Sequence, residues 1–195
     1  MFNHFEGKIT MKTPTYTVVD CGGVGYLMNI SLHTYSRIPD SGNFRLFAHL
    51  AVREDAMVLY GFADEEEREI FRQLISVSGV GPGTARMILS SMSPSEIVQA
   101  IHAGNVSALR SVKGIGEKSA QRIIIDLKGK MGKGTEGISA VSFGGDNKMR
   151  DEALTALVTL GFARNVAEKA IDKALASEGK AVSVEHLLKI ALKNL

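Results

Sequence analysis

The sequence lacks several features that would point to a secreted, disulfide-linked or membrane protein. It contains a single cysteine, Cys21, which excludes an internal disulfide framework and a cysteine-rich metal site. No apolar segment approaches the roughly 20 residues that a membrane-spanning helix needs. No apolar run follows a basic stretch near residue 1, so we expect no signal peptide. A reducing, cytoplasmic setting without a membrane partner is the simplest expectation.

The chain also lacks a strong excess of either charge. Its formal net charge is only +2, which is too small to indicate nucleic acid by itself. The distribution is more informative, because residues 70–128 carry seven basic and three acidic side chains. A locally basic surface suits phosphate binding, although a solvated surface of mixed charge accounts for the same count equally well.

Residues 1–62 have the pattern of a small β domain. Short apolar-rich runs alternate with turn signals such as Thr13-Pro14 and Cys21-Gly22-Gly23. Five short strands in about sixty residues favour a closed barrel of the OB type, and an SH3-like barrel would give a similar pattern. The predicted strands are Phe5–Met11, Thr15–Val19, Tyr26–Ser31, Asn43–Ala51 and Ala56–Phe62.

A helical period begins at Asp64 and predicts a helical domain over residues 63–128. Asp64 can cap a helix, and Glu67, three residues later, would complete a capping box. Ser93 can cap another helix, with Pro94 at its first position and Glu96 three residues after the cap. These signals indicate several short helices that continue to about residue 128.

The remaining residues predict a linker and a third folded region. Residues 129–146 contain six glycines and no periodicity, which is typical of a flexible linker. Residues 147–195 contain three amphipathic segments, the first ending at Gly161, and predict a small three-helix bundle. The predicted fold class is therefore multi-domain α+β, with an OB-fold barrel, a central helical domain and a C-terminal three-helix bundle.

The central region contains a sixteen-residue pattern that occurs twice, at 74–89 and 109–124. Leu, Ser, Val, two glycines, Ala and Ile recur in register, thirty-five positions apart. Each copy predicts a helix, a tight Gly-hydrophobic-Gly turn and a second helix. A single Gly-x-Gly between helices is often only a turn, but two matched copies with helical flanks predict a tandem helix-hairpin-helix domain.

Such a hairpin can hold a phosphate without reading a base. Its glycines permit a positive φ and bring no Cβ near a sugar-phosphate chain. The helix that follows offers free N–H groups and a partial positive charge to an anion. The hydrophobic residue between the glycines points inward and anchors the turn, while hydroxyl and basic side chains add polar contacts. The candidate phosphate-binding residues are Gly79, Val80, Gly81, Gly83, Thr84, Gly114, Ile115, Gly116, Lys118, Ser119 and Arg122.

Other nucleotide motifs do not fit the sequence. A helix rather than a strand precedes Gly79-Val80-Gly81, and the spacing to a third glycine does not match a dinucleotide fingerprint. Residues 129–135 lack the Gly-Lys-Ser/Thr ending of a phosphate loop. A DNA repair glycosylase or nuclease would need a nucleophile or clustered carboxylates, and only Asp126 follows the second hairpin closely. We therefore expect no catalytic residue, no metal and no cofactor, while a repair enzyme and a general duplex-binding module remain alternatives.

The order of these motifs resembles the RuvA family along the whole chain. The β domain, the paired Gly-Val-Gly-Pro and Gly-Ile-Gly-x-Lys-Ser turns, the glycine-rich linker and the small helical domain follow in sequence. Phe5-Glu6-Gly7-Lys8, Tyr60-Gly61-Phe62 and Leu160-Gly161-Phe162 also look like family segments. After Pro82 this chain has Gly83, where some relatives are expected to carry Lys, so the first hairpin would rely more on amides and Thr84.

The resemblance implies a function and several partners. It implies a homotetramer, or an octamer of two stacked tetramers, that holds a four-way (Holliday) junction open and binds its backbone phosphates through the hairpins. It also implies a C-terminal domain that recruits the RuvB ATPase, which pumps the DNA, and an association with the RuvC resolvase.

Two further groups of residues take roles from the same resemblance. Glu54 and Asp55 match the family's acidic pin, which would lie at the crossover of the junction, whereas composition alone favours a solvated turn. In the last domain we expect core residues first, with one face available to a partner. The residues considered for that face are Leu154, Leu157, Leu160 and Phe162.

Overall fold

The computed structural model describes residues 2–134, 145–178 and 183–194. It divides into two compact units, Met1–Ser139 and Ala140–Leu195, which we describe separately. The first unit contains five strands and six helices in the described residues: β1 His4–Lys12, β2 Tyr16–Asp20, β3 Gly25–Asn29, α1 Leu32–Arg37, β4 Gly42–Val52, β5 Met57–Phe62, α2 Glu65–Ile75, α3 Pro82–Ser91, α4 Pro94–Ala103, α5 Val106–Arg110 and α6 Glu117–Gly134.

The strands form a closed barrel in the order β1-β2-β3-β5-β4. Neighbouring strands pair antiparallel except β3 and β5, which close the barrel in parallel through Asn29 and Tyr60. This order is the five-stranded Greek-key arrangement of the OB fold, so the predicted fold class is confirmed and the SH3-like alternative is wrong. The fully buried residues inside the barrel include Val19, Met28 and Leu46.

The predicted strands agree with the structure to within two residues at either end, whereas helix α1 is not among the predicted elements. Leu32–Arg37 forms this short helix between β3 and β4, and the Ser31 hydroxyl caps it by accepting from the Thr34 amide. Ser31 and Thr34 are both buried, which already indicates that another part of the chain covers them.

Helix α2 packs against strands β4 and β5 around Phe71, and helices α3–α6 contribute to the same buried core. This ring is fully buried and lies 4.9 Å from the ring of Phe62, 5.0 Å from that of Tyr60 and 5.3 Å from that of His49, measured between centroids. Three rings from the barrel therefore surround one ring of the helical region. The two predicted domains share this core, and burial of the aromatic surface stabilises them as one body.

Hydrogen bonds also hold the helical region against the barrel. Arg68 is buried and donates to the carbonyl oxygens of Asn3 at 2.6 Å and Ala48 at 3.3 Å. Arg86, on α3, donates to the Thr15 carbonyl at 3.1 Å and to Asn29 Oδ1 at 2.9 Å. Because these bonds cross from helices to strands, the hairpins have fixed positions relative to the barrel.

The helix caps agree with the sequence at one site and only in part at the other. The Ser93–Glu96 capping box is present, with Pro94 at the start of α4. Asp64 also caps α2 as predicted and accepts from the Glu67 amide at 2.8 Å. The Glu67 side chain, however, does not reach back to complete a box there. It is buried and accepts from the hydroxyl groups of Ser31 and, at 2.5 Å, Thr34.

Helix α6 extends beyond the end that the sequence predicts. It runs to Gly134, six residues into the stretch 129–146 that we interpreted as a linker, and the next helix begins at Gly145. A helix that has already formed can continue through glycines at a cost of about 1 kcal/mol each, which explains why composition misplaced the end. Residues 135–144 of the predicted linker lie outside the described residues, and the four-region division remains a prediction.

The second unit contains three helices in its described residues, α7 Gly145–Thr159, α8 Arg164–Glu178 and α9 Val184–Lys193. Gly161, with a φ of 100°, follows the end of α7, as the sequence predicts. The buried core is made of aliphatic and alanine side chains, among them Leu157, Ile171 and Leu187. Among all the helices that the structure describes, none has the length and apolarity to cross a membrane.

Candidate nucleic-acid interface

The two predicted hairpins have the same backbone hydrogen bonds. In each, the amide of the residue between the glycines donates to the carbonyl three residues earlier, which closes the turn. The second glycine then accepts the first bond of the following helix. The corresponding pairs are Val80 to Val77 at 3.0 Å and Ile115 to Val112 at 3.1 Å, then Ala85 to Gly81 and Ala120 to Gly116, both at 3.0 Å.

The first glycine of each turn is required by its backbone conformation. Gly79 has a φ of 89° and Gly114 a φ of 90°, in the region that other residues occupy at a cost. The second glycines differ, since Gly81 has a φ of −85°. A Cβ on Gly116 would meet no protein atom within 4 Å. The backbone of the turn therefore does not require glycine at the second position. The missing side chain instead leaves the space outside the turn open.

Val80 and Ile115 anchor the turns through buried side chains. Their side chains are only 5% and 7% exposed, and both pack in the helical core. Their amides are already used in the turn bonds. The side chains therefore point inward, as expected, and offer no surface to a phosphate, while the place of both residues among the phosphate-binding candidates stays a prediction.

The amides available to an anion lie just after the turns. Within the described part of the chain, the amides of Gly83 and Thr84 in the first hairpin have no acceptor, and neither do those of Lys118 and Ser119 in the second. Amides in the first turn of a helix have no partner inside that helix and add to the positive end of its dipole. Both hairpins therefore present donors suited to a phosphate oxygen.

The basic side chains are distributed unevenly between the hairpins. Lys113 and Lys118 are exposed on the second hairpin, and Arg122 lies 4.0 Å from Asp126 while remaining largely exposed. The first hairpin has Ser78 and Gly83 at the positions of the two lysines. Its own arginine, Arg86, is turned toward the barrel as described above, so part of the basic excess counted from sequence is structural.

The loop between β4 and β5 lies beside the first hairpin. It is closed by the Arg53 amide, which donates to the Ala56 carbonyl at 2.8 Å, and Glu54 and Asp55 are exposed at its tip. A Cβ placed on Gly81 would lie 3.9 Å from Arg53 Nη2. The structure thus brings Arg53, at the base of the loop that carries the predicted acidic residues, close to one hairpin turn, a proximity that the sequence could not indicate.

One cluster of possible metal ligands occurs in the described residues, and its geometry argues for a structural role. Ligand atoms of His33, Asp64 and Glu67 lie within 4.8 Å of one another. Arg37 already forms an ion pair with Asp64, and both Glu67 oxygens accept hydroxyl hydrogen bonds. Burial raises the pKa of Glu67 above its usual 4.5, against the opposing effect of those hydrogen bonds. The cluster joins α1 to α2.

The four residues considered for a partner face separate into two groups. Leu157 is fully buried and Leu154 is 6% exposed, so both are core residues and have no surface to offer a partner. Phe162 is partly buried against the same core. Leu160 is 64% exposed, and of the four it alone is an exposed apolar side chain.

Comparisons with known proteins agree with this arrangement in all parts of the chain. Residues 1–61 match the RuvA N terminal domain, residues 71–129 a SAM-like helix-hairpin-helix tandem, and residues 148–195 the RuvA C-terminal domain. Proteins named Holliday junction branch migration complex subunit RuvA from Christiangramia forsetii and Flavobacterium psychrophilum are each 50% identical to it over 195 residues, covering all of both chains. The protein of that name from Bacteroides fragilis is 46% identical over 204 residues, again with full coverage. The chain therefore belongs to the RuvA family.

Proposed function

We propose that this protein binds four-way DNA junctions without reading their sequence and serves as the DNA-binding subunit of a branch-migration complex. The observation that carries the proposal is the matched pair of hairpins. Their free amides, Thr84 and Ser119 hydroxyls and the Lys118 ammonium suit phosphate oxygens and include no group aimed at a base edge. A DNA that must move through the complex needs contacts of this sequence-independent kind.

The acidic loop supports a junction rather than a continuous duplex as the ligand. Glu54 and Asp55 are exposed at the tip of the loop whose base, Arg53, lies beside the first hairpin, and carboxylates there would repel a backbone that lay across them. Around a junction centre, four copies of this loop would discourage collapsed strands and separate the arms. This role fits a homotetramer, and an octamer if two tetramers stack.

The acidic loop has a direct test. Glu54→Gln with Asp55→Asn should retain junction binding, because no hairpin donor changes, but alter the rate of branch migration or the preference for junctions over duplex. Arg45 and Glu6 form an exposed ion pair elsewhere on the barrel, so Glu6→Gln is a control for lost carboxylate charge. If both the migration rate and the preference for junctions stay unchanged, Glu54 and Asp55 do not form an acidic pin.

The hairpin contacts can be tested with two lysines on one helix. Lys118 and Lys128 are both exposed on α6, and ten residues of helix place them about 15 Å apart. Lys118→Gln should weaken binding equally for junctions of unrelated arm sequence, since a phosphate contact is lost. Lys128→Gln removes the same charge away from the turn and should have the smaller effect. Equal effects, or a loss that depends on arm sequence, would contradict the proposed contact.

The proposal assigns the energy for movement to a partner. The protein would be non-catalytic, act on chromosomal DNA in the cytoplasm, and recruit the RuvB ATPase through residues 147–195, with the RuvC resolvase joining the same junction. Leu160 is the exposed apolar side chain that could contact the motor. Removing residues 147–195 should leave junction binding intact and abolish stimulation of RuvB, and retained stimulation would refute this assignment.

Incubation of the protein with DNA and Mg²⁺ tests the alternative function of a repair nuclease. A nuclease would cleave the DNA, whereas the proposed non-catalytic subunit should leave it intact.

A further inference from the structure

The two hairpins have matching backbones but differ in their basic side chains. The second carries Lys113 and Lys118, whereas the first carries Ser78 and Gly83 at the equivalent positions. Arg86 cannot make up the difference, because its guanidinium donates to the barrel. The first hairpin therefore offers amides and a hydroxyl to a phosphate but has no exposed cation on its own turn or on the start of its second helix.

A cation from the barrel lies at the place where the first hairpin lacks one. Arg53, at the base of the β4–β5 loop, has its Nη2 atom 3.9 Å from the position that a Cβ on Gly81 would occupy. Gly81 immediately precedes α3, so the guanidinium lies close to the start of that helix, where the free amides are. Any side chain at position 81 would contact the guanidinium, and glycine leaves the space between them open.

Arg53 also differs from the other arginines of this unit. Within residues 2–134, its side chain has no hydrogen-bond or ion-pair partner, although Glu54 and Asp55 follow it in the chain. Every other arginine in that range has one: Arg37 with Asp64, Arg45 with Glu6, Arg68 with Glu65, Arg72 with Glu69, Arg86 with Asn29, Arg110 with Glu117 and Arg122 with Asp126. An exposed guanidinium beside unpaired amides is suited to a bidentate phosphate contact.

We propose that Arg53 binds the DNA phosphate held by the first hairpin, and so supplies from the barrel the cation that the second hairpin carries as Lys118. This inference rests on the proposed function. The first phosphate site then contains groups from both the barrel and the helical region. The rigid contact between these two parts would hold the groups in place. This assignment also places a phosphate-binding cation next to the acidic tip, so that one short loop both attracts and repels DNA backbone.

The test measures the affinity of the full-length protein for a four-way junction at several KCl concentrations. Arg53→Gln should raise the Kd about tenfold, since a hydrogen bond to a charged group is lost. It should also reduce the slope of log K against log salt by about 0.9 for each phosphate contact removed. Arg45→Gln removes the same charge from an existing ion pair on strand β4 and should change the slope little.

A rescue variant tests directly whether the first hairpin needs a cation. Gly83 is exposed and a Cβ there would meet no protein atom within 4 Å, so Gly83→Lys fits and places a lysine where the second hairpin has Lys118. Arg53→Gln with Gly83→Lys should recover most of the affinity and salt slope. Failure of this lysine to recover either quantity would overturn the claim that a missing cation causes the loss.

Two controls separate the possible failures. If Arg53 only offsets the neighbouring carboxylates, its replacement should be silent in the Glu54→Gln, Asp55→Asn background, and that result would overturn the inference. The inference predicts the same loss there. If Lys118→Gln weakens binding but Arg53→Gln behaves like Arg45→Gln, the inference about Arg53 fails while the proposed function stands. If the unmodified protein does not prefer junctions at all, the proposed function fails first.

Discussion

Replacement of Gly116 by alanine should separate DNA binding from folding. The φ of Gly116 is outside the left-handed region, and an added Cβ would meet no protein atom within 4 Å. The folded protein should therefore lose no more than about 1 kcal/mol, the difference between glycine and alanine at a helix N-cap. A DNA backbone that approaches the turn through this open space to reach the following amides would, in contrast, have to withdraw to clear the new methyl group.

The expected loss of affinity follows from that displacement. A hydrogen bond to a charged group contributes about 1.5–3 kcal/mol, which corresponds to a ten- to hundredfold increase in Kd for each hairpin affected. Gly114→Ala is the matched substitution two residues earlier, and its φ of 90° makes it a folding mutation. It should destabilise the protein by about 1–3 kcal/mol, because alanine is strained in that region.

The assay can monitor the relevant unit in the intact chain. The chain has no tryptophan, and its four tyrosines all lie in residues 16–60, so tyrosine fluorescence follows unfolding of the first unit alone. Junction affinity is measured in parallel by anisotropy of labelled DNA. If Gly116→Ala binds as well as the unmodified protein, the second glycine does not admit a phosphate, and the interpretation of the open turn is refuted.

Three further predictions concern the joint between barrel and helices. Burial raises the pKa of Glu67, so the stability linked to its protonation is fully present below pH 4.5 and is lost as pH rises through the higher folded pKa. Relative to the Glu67→Gln variant, the unmodified protein should therefore lose stability above pH 4.5. The control variant Glu66→Gln, at an exposed position, should show the same dependence of stability on pH as the unmodified protein. Phe71→Ala should cost about 3–5 kcal/mol in urea unfolding, since the ring is fully buried, and a loss below 1 kcal/mol would contradict the shared core. Arg86→Met should lower stability by about 1–3 kcal/mol and leave the salt slope of DNA binding unchanged, and a reduced slope would make Arg86 a DNA contact instead.

The hairpins were predictable because each is a local structure with a repeated signature. The spacing of Gly79 and Gly114 from their helices, and the apolar character of Val80 and Ile115, are set within sixteen residues of sequence. A positive φ and a buried anchor are local requirements, and both were confirmed. The barrel was predictable for a similar reason, since short alternating strands and turn residues occur at regular intervals.

The residues that sequence misplaced are those whose partners are distant in the chain. The spacing from Asp64 predicts a capping box at Glu67, but the Glu67 side chain accepts from Ser31, 36 positions away. Arg86 counted as a basic residue of the DNA-binding region, but it donates to Thr15, 71 positions away. Periodicity and capping rules contain no information about such tertiary contacts, and so the roles of these charged side chains became clear only from the folded structure.

Binding of the unmodified protein to a four-way junction and to a duplex of the same arm sequence, each over a range of KCl concentrations, tests the central claim most directly. Phosphate contacts through hairpin amides and cations predict tighter binding to the junction. They also predict a linear fall of log K with log salt and the same Kd when the arm sequences are exchanged. Equal affinity for junction and duplex, or a Kd that changes with arm sequence, would contradict the account.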